Sequence, residues 1–255
     1  MTPTTDTTDT TLPDDPADST TTVLVTGANK GLGLETSHRL ADLGWTVWMG
    51  ARDAARGEAA ARAVADAHPG ADVRFVELDV TDDDSVAKAV EAVDGSGTGL
   101  DVLVNNAGVL GPGRPALETV PADFLPVLEV NLLGPVRVTH AFLPLLAASS
   151  RPRLVMVSSG LGSIQHVNDP ARTESRVPGL VYQSSKAALN MVTTLYAKAL
   201  PGVRVCAVDP GYTATDLNGH SGPQTVREGT DAIVTAAAAD TVPGPHFDRH
   251  GVAPW

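Results

Sequence analysis

After Thr22 the chain alternates short apolar runs with longer stretches whose apolar residues recur at helical spacing. The runs are Val23-Leu24-Val25, Thr46-Val47-Trp48-Met49, Val73 to Leu78, Val102-Leu103-Val104, Leu154-Val155-Met156-Val157 and Val203 to Val208. They are nearly continuous rather than alternating, which predicts strands buried on both faces and therefore a parallel sheet. Helices are predicted between them. From Gly31 to Leu43 a stripe of Leu32, Thr36, Leu40 and Leu43 has helical spacing, and Ala54 to Ala67 is rich in alanine. Thr81 with Asp84 resembles a capping box opening the next helix. Ala122 to Ala148 is interrupted by Pro126, Pro135 and Pro144, which predicts a kink or break. Gln183 to Leu200 stops before Pro201-Gly202. This alternation implies right-handed crossovers and an α/β fold: a doubly wound parallel sheet in three αβα layers, as a single domain.

Composition narrows the picture. The chain has 255 residues, 42% hydrophobic and 19% charged, enough to bury the core of one large α/β domain. No run reaches the ~18 to 20 consecutive apolar residues of a membrane span, so no membrane association is expected. The segment at Met1 lacks the basic start and apolar stretch of a signal peptide. The single cysteine, Cys206, cannot form an internal disulfide, which suits a reducing cytoplasm. Thirty acidic residues against 18 basic give a net charge of -12, the opposite of what a phosphate-backbone binder shows. Nucleic acid is not an expected partner.

The acidity is uneven. Residues 1–22 are mostly Thr, Asp and Pro, with five Asp and no basic or aromatic residue. Such a stretch has little apolar surface to offset its ordering entropy, and it is expected to be a disordered tail. The folded domain is then 23–255, carrying 25 acids and 18 bases.

The first apolar run ends in Thr26-Gly27-Ala28-Asn29-Lys30-Gly31-Leu32-Gly33 and passes straight into a helix. Glycines there let backbone amides approach a pyrophosphate while the helix N-terminus faces the anion. The spacing Gly-x-x-x-Gly-x-Gly differs from the usual dinucleotide fingerprint. An acid closing the second strand would bind a ribose 2′-hydroxyl and repel a 2′-phosphate. Here Arg52 stands at that exit and Lys30 in the glycine loop, a pair that favours NADP over NAD. In the opposing reading both cations are merely solvated and Asp53 is the ribose ligand.

Asn105-Asn106-Ala107-Gly108 closes the fourth strand, where small residues admit a planar ligand and an Asn side chain can tie neighbouring strands. Asp79 can accept a hydrogen bond from an adenine amino group, or can begin the turn into Thr81. Tyr182-Gln183-Ser184-Ser185-Lys186 puts a phenol and an ammonium on one helical face, one turn apart. A free phenol titrates near ~10, and a nearby ammonium lowers that value toward neutrality. Ser158-Ser159 follows the fifth strand, where a hydroxyl can meet a carbonyl oxygen. The seven histidines are scattered, and no metal site is expected. Gly219-His220-Ser221-Gly222 superficially suggests a hydrolase elbow, but Pro223 stands where the final glycine belongs. Cys206 and Trp48 read as core.

Taken in order, TGANKGLG, NNAG, VN, VSS, YQSSK and DPGYTAT resemble the short-chain dehydrogenase/reductase family from about Val23 to the C-terminus. The glycine spacing is that family's own. The resemblance implies a Rossmann-type fold. It makes Tyr182 the proton donor or acceptor, and gives Lys186 the roles of lowering its pKa and holding the nicotinamide ribose. It also implies that Ser159 orients the carbonyl and that Asn131, in Val130-Asn131, supports a water-linked proton relay. Gly27, Asn29, Lys30, Gly31, Leu32, Gly33, Arg52, Asp79, Val80, Asn106, Ala107 and Gly108 would contact the cofactor, together with Tyr182 and Lys186. Pro210, Gly211 and Thr213 would flank the nicotinamide amide, with Thr215 nearby.

GANKG, Ala51-Arg52-Asp53 and Phe247-Asp248-Arg249 resemble the carbonyl-reductase-like branch, which tends to use NADPH. One departure is the long connection between Ser159 and Tyr182, with Gln165 to Arg176 looking inserted. In relatives, long insertions here cover the face used for subunit association, so both a homo-oligomer (dimer or tetramer) and a monomer are open. His166 or Asn168 in this stretch can touch substrate or lie in a surface loop. Tyr212 to Gln224 is expected to be a substrate loop. The expected activity is NADPH-dependent reduction of a small-molecule ketone or aldehyde. The alternatives are alkene or imine reduction on the same scaffold, or a non-catalytic NADP-binding regulator.

Overall fold

The computed structural model of the protein describes residues 21–255. The expected disordered tail lies, over residues 1–20, outside the described residues. Thr21 and Thr22 are buried, and the first strand, β1 (Thr22–Thr26), begins one residue before the boundary expected from the apolar pattern.

Six strands follow the predicted runs: β1, β2 (Thr46–Ala51), β3 (Val73–Glu77), β4 (Val102–Asn105), β5 (Arg153–Val157) and β6 (Arg204–Val208). All pair in parallel, in the order β3-β2-β1-β4-β5-β6. Two short strands extend the edge: β7 (His246–Asp248) runs parallel to β6, and β8 (Gly251–Val252) turns back antiparallel on β7. The sequence reading missed both. They are two or three residues long and lie among Pro and Gly, too short to carry a periodic signal.

The connecting helices are α1 (Gly31–Asp42), α2 (Ala54–Ala67), α3 (Asp83–Gly95), α4 (Pro121–Leu128), α5 (Gly134–Ala148), α6 (Ile164–Asn168), α7 (Val181–Ala199), α8 (Val226–Gly229) and α9 (Asp231–Ala238). The cap of α3 differs from expectation. Asp82 is the N-cap and accepts the Asp84 amide, while Thr81 donates its hydroxyl to Asp79 at 2.7 Å. The expected break in the proline-rich stretch is a π-helical turn at Glu129–Leu133 between α4 and α5. Pro126 and Pro144 are accommodated inside helices, and Pro135 sits in the first turn of α5, where its missing N–H is harmless.

Strand parity divides the core in two. Val23 and Val25 point to one face with Leu40, Val47, Met49, Val64 and Ile233, beneath α1, α2 and α9. Leu24 points to the other with Trp48, Val86, Val138, Phe142, Met156 and Leu189, beneath α3, α5 and α7. By length and composition Pro121–Ala148 is apolar enough to cross a membrane. Its Val138, Phe142 and Leu146 are nevertheless fully buried in the second core layer. Cys206 is buried on β6, as expected for core.

Reversing the order of connections at β1 opens a crevice at the carboxyl ends of β1 and β4, the usual ligand position in such sheets. Phe142 anchors α5 under that crevice with no exposed surface. Phe142→Ala is expected to lower the unfolding free energy by about 3–5 kcal/mol in chemical denaturation. A loss below about 1 kcal/mol would mean that α5 does not pack there as described.

Candidate active site

The β1 and β4 ends are bound together by one hydroxyl. Thr26 Oγ1 accepts both the Asn106 and Ala107 amides at 3.0 Å. The Asn106 side chain returns the contact, donating to the Thr26 carbonyl at 2.8 Å and the Gly27 carbonyl at 3.3 Å. Gly27 adopts φ 65°, and a Cβ there would stand 3.0 Å from Ala107 Cα. At Gly33 a Cβ would come within 2.5 Å of both the Asn106 amide nitrogen and the Gly27 carbonyl. Glycine at these two positions lets α1 and its loop press against β4. The N-cap of α1, Lys30, makes no side-chain cap, so the first turn of the helix opens toward the crevice.

The crevice is a cavity of about 1350 Å³. Of the residues expected at a cofactor, Gly27, Asn29, Lys30, Gly31, Leu32, Arg52, Asp79, Val80, Asn106, Ala107 and Gly108 line it, as do Pro210, Gly211, Thr213 and Thr215. Gly33 does not; its place is the close packing just described. Arg52 is exposed at the cavity wall. Asp53, its rival as ribose ligand, lies outside the lining: it caps α2, accepting the Arg56 amide, and pairs with the Arg56 guanidinium at 2.7 Å. Lys30 faces the opposite lip, where it pairs with Asp216 at 3.2 Å. Asp79 lines the cavity and begins the turn into Thr81, accepting its amide and hydroxyl. Burial opposes its ionisation, but the Thr81 hydrogen bonds, with Arg52 and Arg137, hold its pKa below the ordinary carboxylate value.

Ser159, Tyr182 and Lys186 meet on the far wall. Ser159 leaves the end of β5 as the cap of a 3-10 turn at Gly160–Gly162. Tyr182 and Lys186 project from the first turns of α7, with the Lys186 nitrogen 5.7 Å from the phenol ring centre. Tyr182 is enclosed by protein on most sides yet keeps intermediate exposure toward the cavity. Burial pushes its phenol up to about 12, against the Ser159 hydrogen bond, which favours the phenolate; the negative charge of Asp209 adds to the rise. Lys186 stands over the same ring as the cation expected beside the phenol. Its ammonium also donates to the Val157 carbonyl at 2.8 Å. Burial lowers Lys186 to about 8, opposed by Asp209.

Asn131 sits fully buried in the π turn. Its side chain accepts the Val109 amide at 2.8 Å and donates to the Val109 carbonyl at 2.9 Å and to Ser185 Oγ at 3.0 Å. The side chain thus clamps the loop after β4 to α7 and does not line the cavity. The connection from Ser159 to Tyr182 borders the mouth, but through Arg172, Glu174, Arg176 and Val177 rather than the expected residues. His166 is buried behind the wall, and Asn168 bonds back to the Ile164 carbonyl of its own helix. Tyr212, Leu217 and Gln224 of the expected substrate loop do line the cavity. Ser221, in the discarded elbow, donates to the Asn218 carbonyl.

Sequence spacing gave no metal cluster, yet the fold gathers His166, Glu174 and Asp209 with ligand atoms within 4.8 Å of one another. Arg172 already supplies positive charge there, meeting Glu174 at 2.8 Å. Asp209, Arg172 and Glu174 were missed as site residues. Asp209 stood in the quoted DPGYTAT motif, a signal that went unused; the other two carry no motif.

A family model described as short chain dehydrogenase matches residues 21–225. The chain is 34% identical to the short-chain dehydrogenase anuI of Penicillium roqueforti, over 84% of this chain and 87% of that protein. It is 32% identical to (+)-neomenthol dehydrogenase of Arabidopsis thaliana, covering 90% and 96%. Among solved structures, NADPH-bound carbonyl reductase from chicken fatty liver superposes with a TM-score of 0.80 at 29% identity, covering 92% of this chain and 98% of that one.

The double acceptor role of Thr26 is open to test. Thr26→Val leaves two amides without their partner and is expected to destabilise the protein by about 2 kcal/mol in urea, with Thr26→Ser close to the parent. Equal stability of all three would show that the hydroxyl does not hold β1 to β4.

Proposed function

The chain belongs to the short-chain dehydrogenase/reductase family, and we propose that within it the protein is an NADPH-dependent reductase converting a ketone or aldehyde to an alcohol. The observation that carries this reading is the meeting of Ser159, Tyr182 and Lys186 on the wall of the same cavity that begins at the glycine loop. At about 1350 Å³ the cavity exceeds the roughly 300–1,000 Å³ of a small-ligand pocket and has room for a dinucleotide beside a substrate. The residues fit that cofactor. The open first turn of α1 suits a pyrophosphate, Asp79 an adenine amino group, and Arg52 a 2′-phosphate. Lys186 would hold the nicotinamide ribose. When bound, the nicotinamide supplies the hydride in reduction or takes it up in oxidation.

The protein's own part is to hold and move a proton. The Ser159 hydroxyl orients the carbonyl oxygen, and the Tyr182 phenol donates its proton to that oxygen as charge develops on it. A phenol held high by burial stays protonated through neutral pH, the state a donor needs. Oxidation needs the phenolate and is favoured as pH rises toward the phenol's pKa. NADP is preferred because Arg52 lies on the cavity wall while Asp53 is occupied by Arg56. The carbonyl-reductase structure resembling this chain is described as NADPH-bound, which supports the same choice. A single free cysteine, buried on β6, suits the reducing cytoplasm in which we place the protein.

Two substitutions test the reading. Tyr182→Phe should lower kcat by at least about a hundredfold against a carbonyl panel while NADPH binding, followed by fluorescence, changes little. Near-normal turnover would overturn the assignment. Arg52→Glu should shift the NADPH-to-NADH ratio of kcat/KM toward NADH by about tenfold or more, by removing a phosphate partner and adding repulsion. An unchanged ratio would place the phosphate-recognising cations elsewhere. Absence of NADPH consumption with every carbonyl tested would favour a non-catalytic sensor.

A further inference from the structure

Asp209 is a buried carboxylate at the catalytic wall for which the proton-transfer scheme has no use. It follows β6, and β6 lies beside β5 in register, Val208 opposite Val157. Lys186 donates to the Val157 carbonyl, and the next amide, Ser158 N–H, donates to the Val208 carbonyl at 2.8 Å. The ammonium and the Asp209 carboxylate are therefore attached to adjacent points of two paired strands, and both line the cavity with Tyr182. Asp209 is 5% exposed, and its Oδ1 accepts the Gly211 amide at 2.9 Å.

Groups converge on it from every side. A Cβ on Gly160 would stand 2.7 Å from Asp209 Oδ2, 2.8 Å from Glu174 Oε1 and 3.2 Å from His166 Nδ1. Only a residue without a side chain lets these three polar groups close up directly behind Ser159. Arg172 pairs with Glu174 and acts on Asp209 from the connection after α6; from β7, His246 and Asp248 act on it. On α7 it acts in turn on Tyr182 and Lys186.

Building on the reductase reading above, we propose that Asp209 is a positioning residue whose negative charge keeps Lys186 as the ammonium and Tyr182 as the protonated phenol, and so sets the upper pH limit of carbonyl reduction. An anion favours the charged form of a nearby ammonium and disfavours a nearby phenolate, so both protons are held more tightly. Burial raises the pKa of Asp209 itself, opposed by the Gly211 and Gly160 amides and by His246. On acidification the carboxylate takes up a proton and its hold on both groups is released.

Asp209→Asn keeps the shape and an acceptor for the Gly211 amide but removes the charge. The basic limb of kcat for reduction should then move down by roughly one pH unit, in a variant that still folds and binds NADPH. Tyrosine labelled with ¹³C at Cζ reads the same coupling without turnover, since the chain has three tyrosines and Tyr182→Phe assigns the resonance. The phenol titration of Tyr182 should fall by the same amount in the variant. If kcat drops with both titrations unmoved, Asp209 is only structural and the proposal fails. If the resonance moves as expected while no carbonyl is reduced, the electrostatic coupling stands and the reductase reading fails. Should the variant not fold, the parent still decides: below the phenol's own titration, its Tyr182 resonance must show a second inflection that follows protonation of Asp209. A flat resonance there overturns the proposal.

Discussion

Lys186 places an ammonium where water is largely excluded, and much of the site is arranged around that fact. A buried cation is unfavourable unless it is hydrogen-bonded and faced by opposite charge. The hydrogen bond comes from the end of β5, through the Val157 carbonyl. The opposite charge comes from the end of β6, through Asp209. Neither element could supply both, so the parallel pairing of β5 with β6 is also what makes the lysine tolerable. The lowered pKa of about 8 records how much of the desolvation is left uncompensated.

Glycine makes the crowding possible at two levels of that wall. At Gly162 a Cβ would press within 2.8 Å of Lys186's own Cβ and backbone, so the 3-10 turn can lie flat on α7 only without one. Two residues earlier, Gly160 performs the same service for Asp209, Glu174 and His166. The order of events along the chain is compact: Ser159 faces the cavity, Gly160 admits the acid cluster behind it, and Gly162 admits the lysine helix. On the opposite wall, Gly27 and Gly33 let α1 approach β4 in the same manner. Asn131 then locks the loop after β4 to α7, so the two walls cannot drift apart independently.

What was legible in the chain follows from how local each signal is. Strands buried on both faces announce themselves as unbroken apolar runs, and the alanine-rich stretch from Ala54 to Ala67 is helical over those same residues. The cap of α3 was misplaced by one residue because Thr81 and Asp82 are both competent caps. The choice was made by Asp79, which takes up the Thr81 hydroxyl. The Tyr182 and Lys186 pair was readable because four residues of helix bring them to one face. Their electrostatic state was not: the hydrogen bond that orients Lys186 comes from a carbonyl 29 residues away. The acid cluster is harder still, since His166 and Glu174 come from the connection before α7 and Asp209 from the one after β6, with no shared spacing. The same applies to His166, whose burial behind the wall no periodicity in so short a helix reveals.

At the mouth of the cleft the charges are paired loosely. Lys30 and Asp216 span the two lips of the cleft, but with side chains 60% and 49% exposed. Such an exposed pair contributes little and is screened by salt. Arg52, on the wall of the cleft, adds a guanidinium suited to bidentate contact. Asp216 has a second partner in His220, 2.9 Å away, so the Lys30 contact is not its sole anchor.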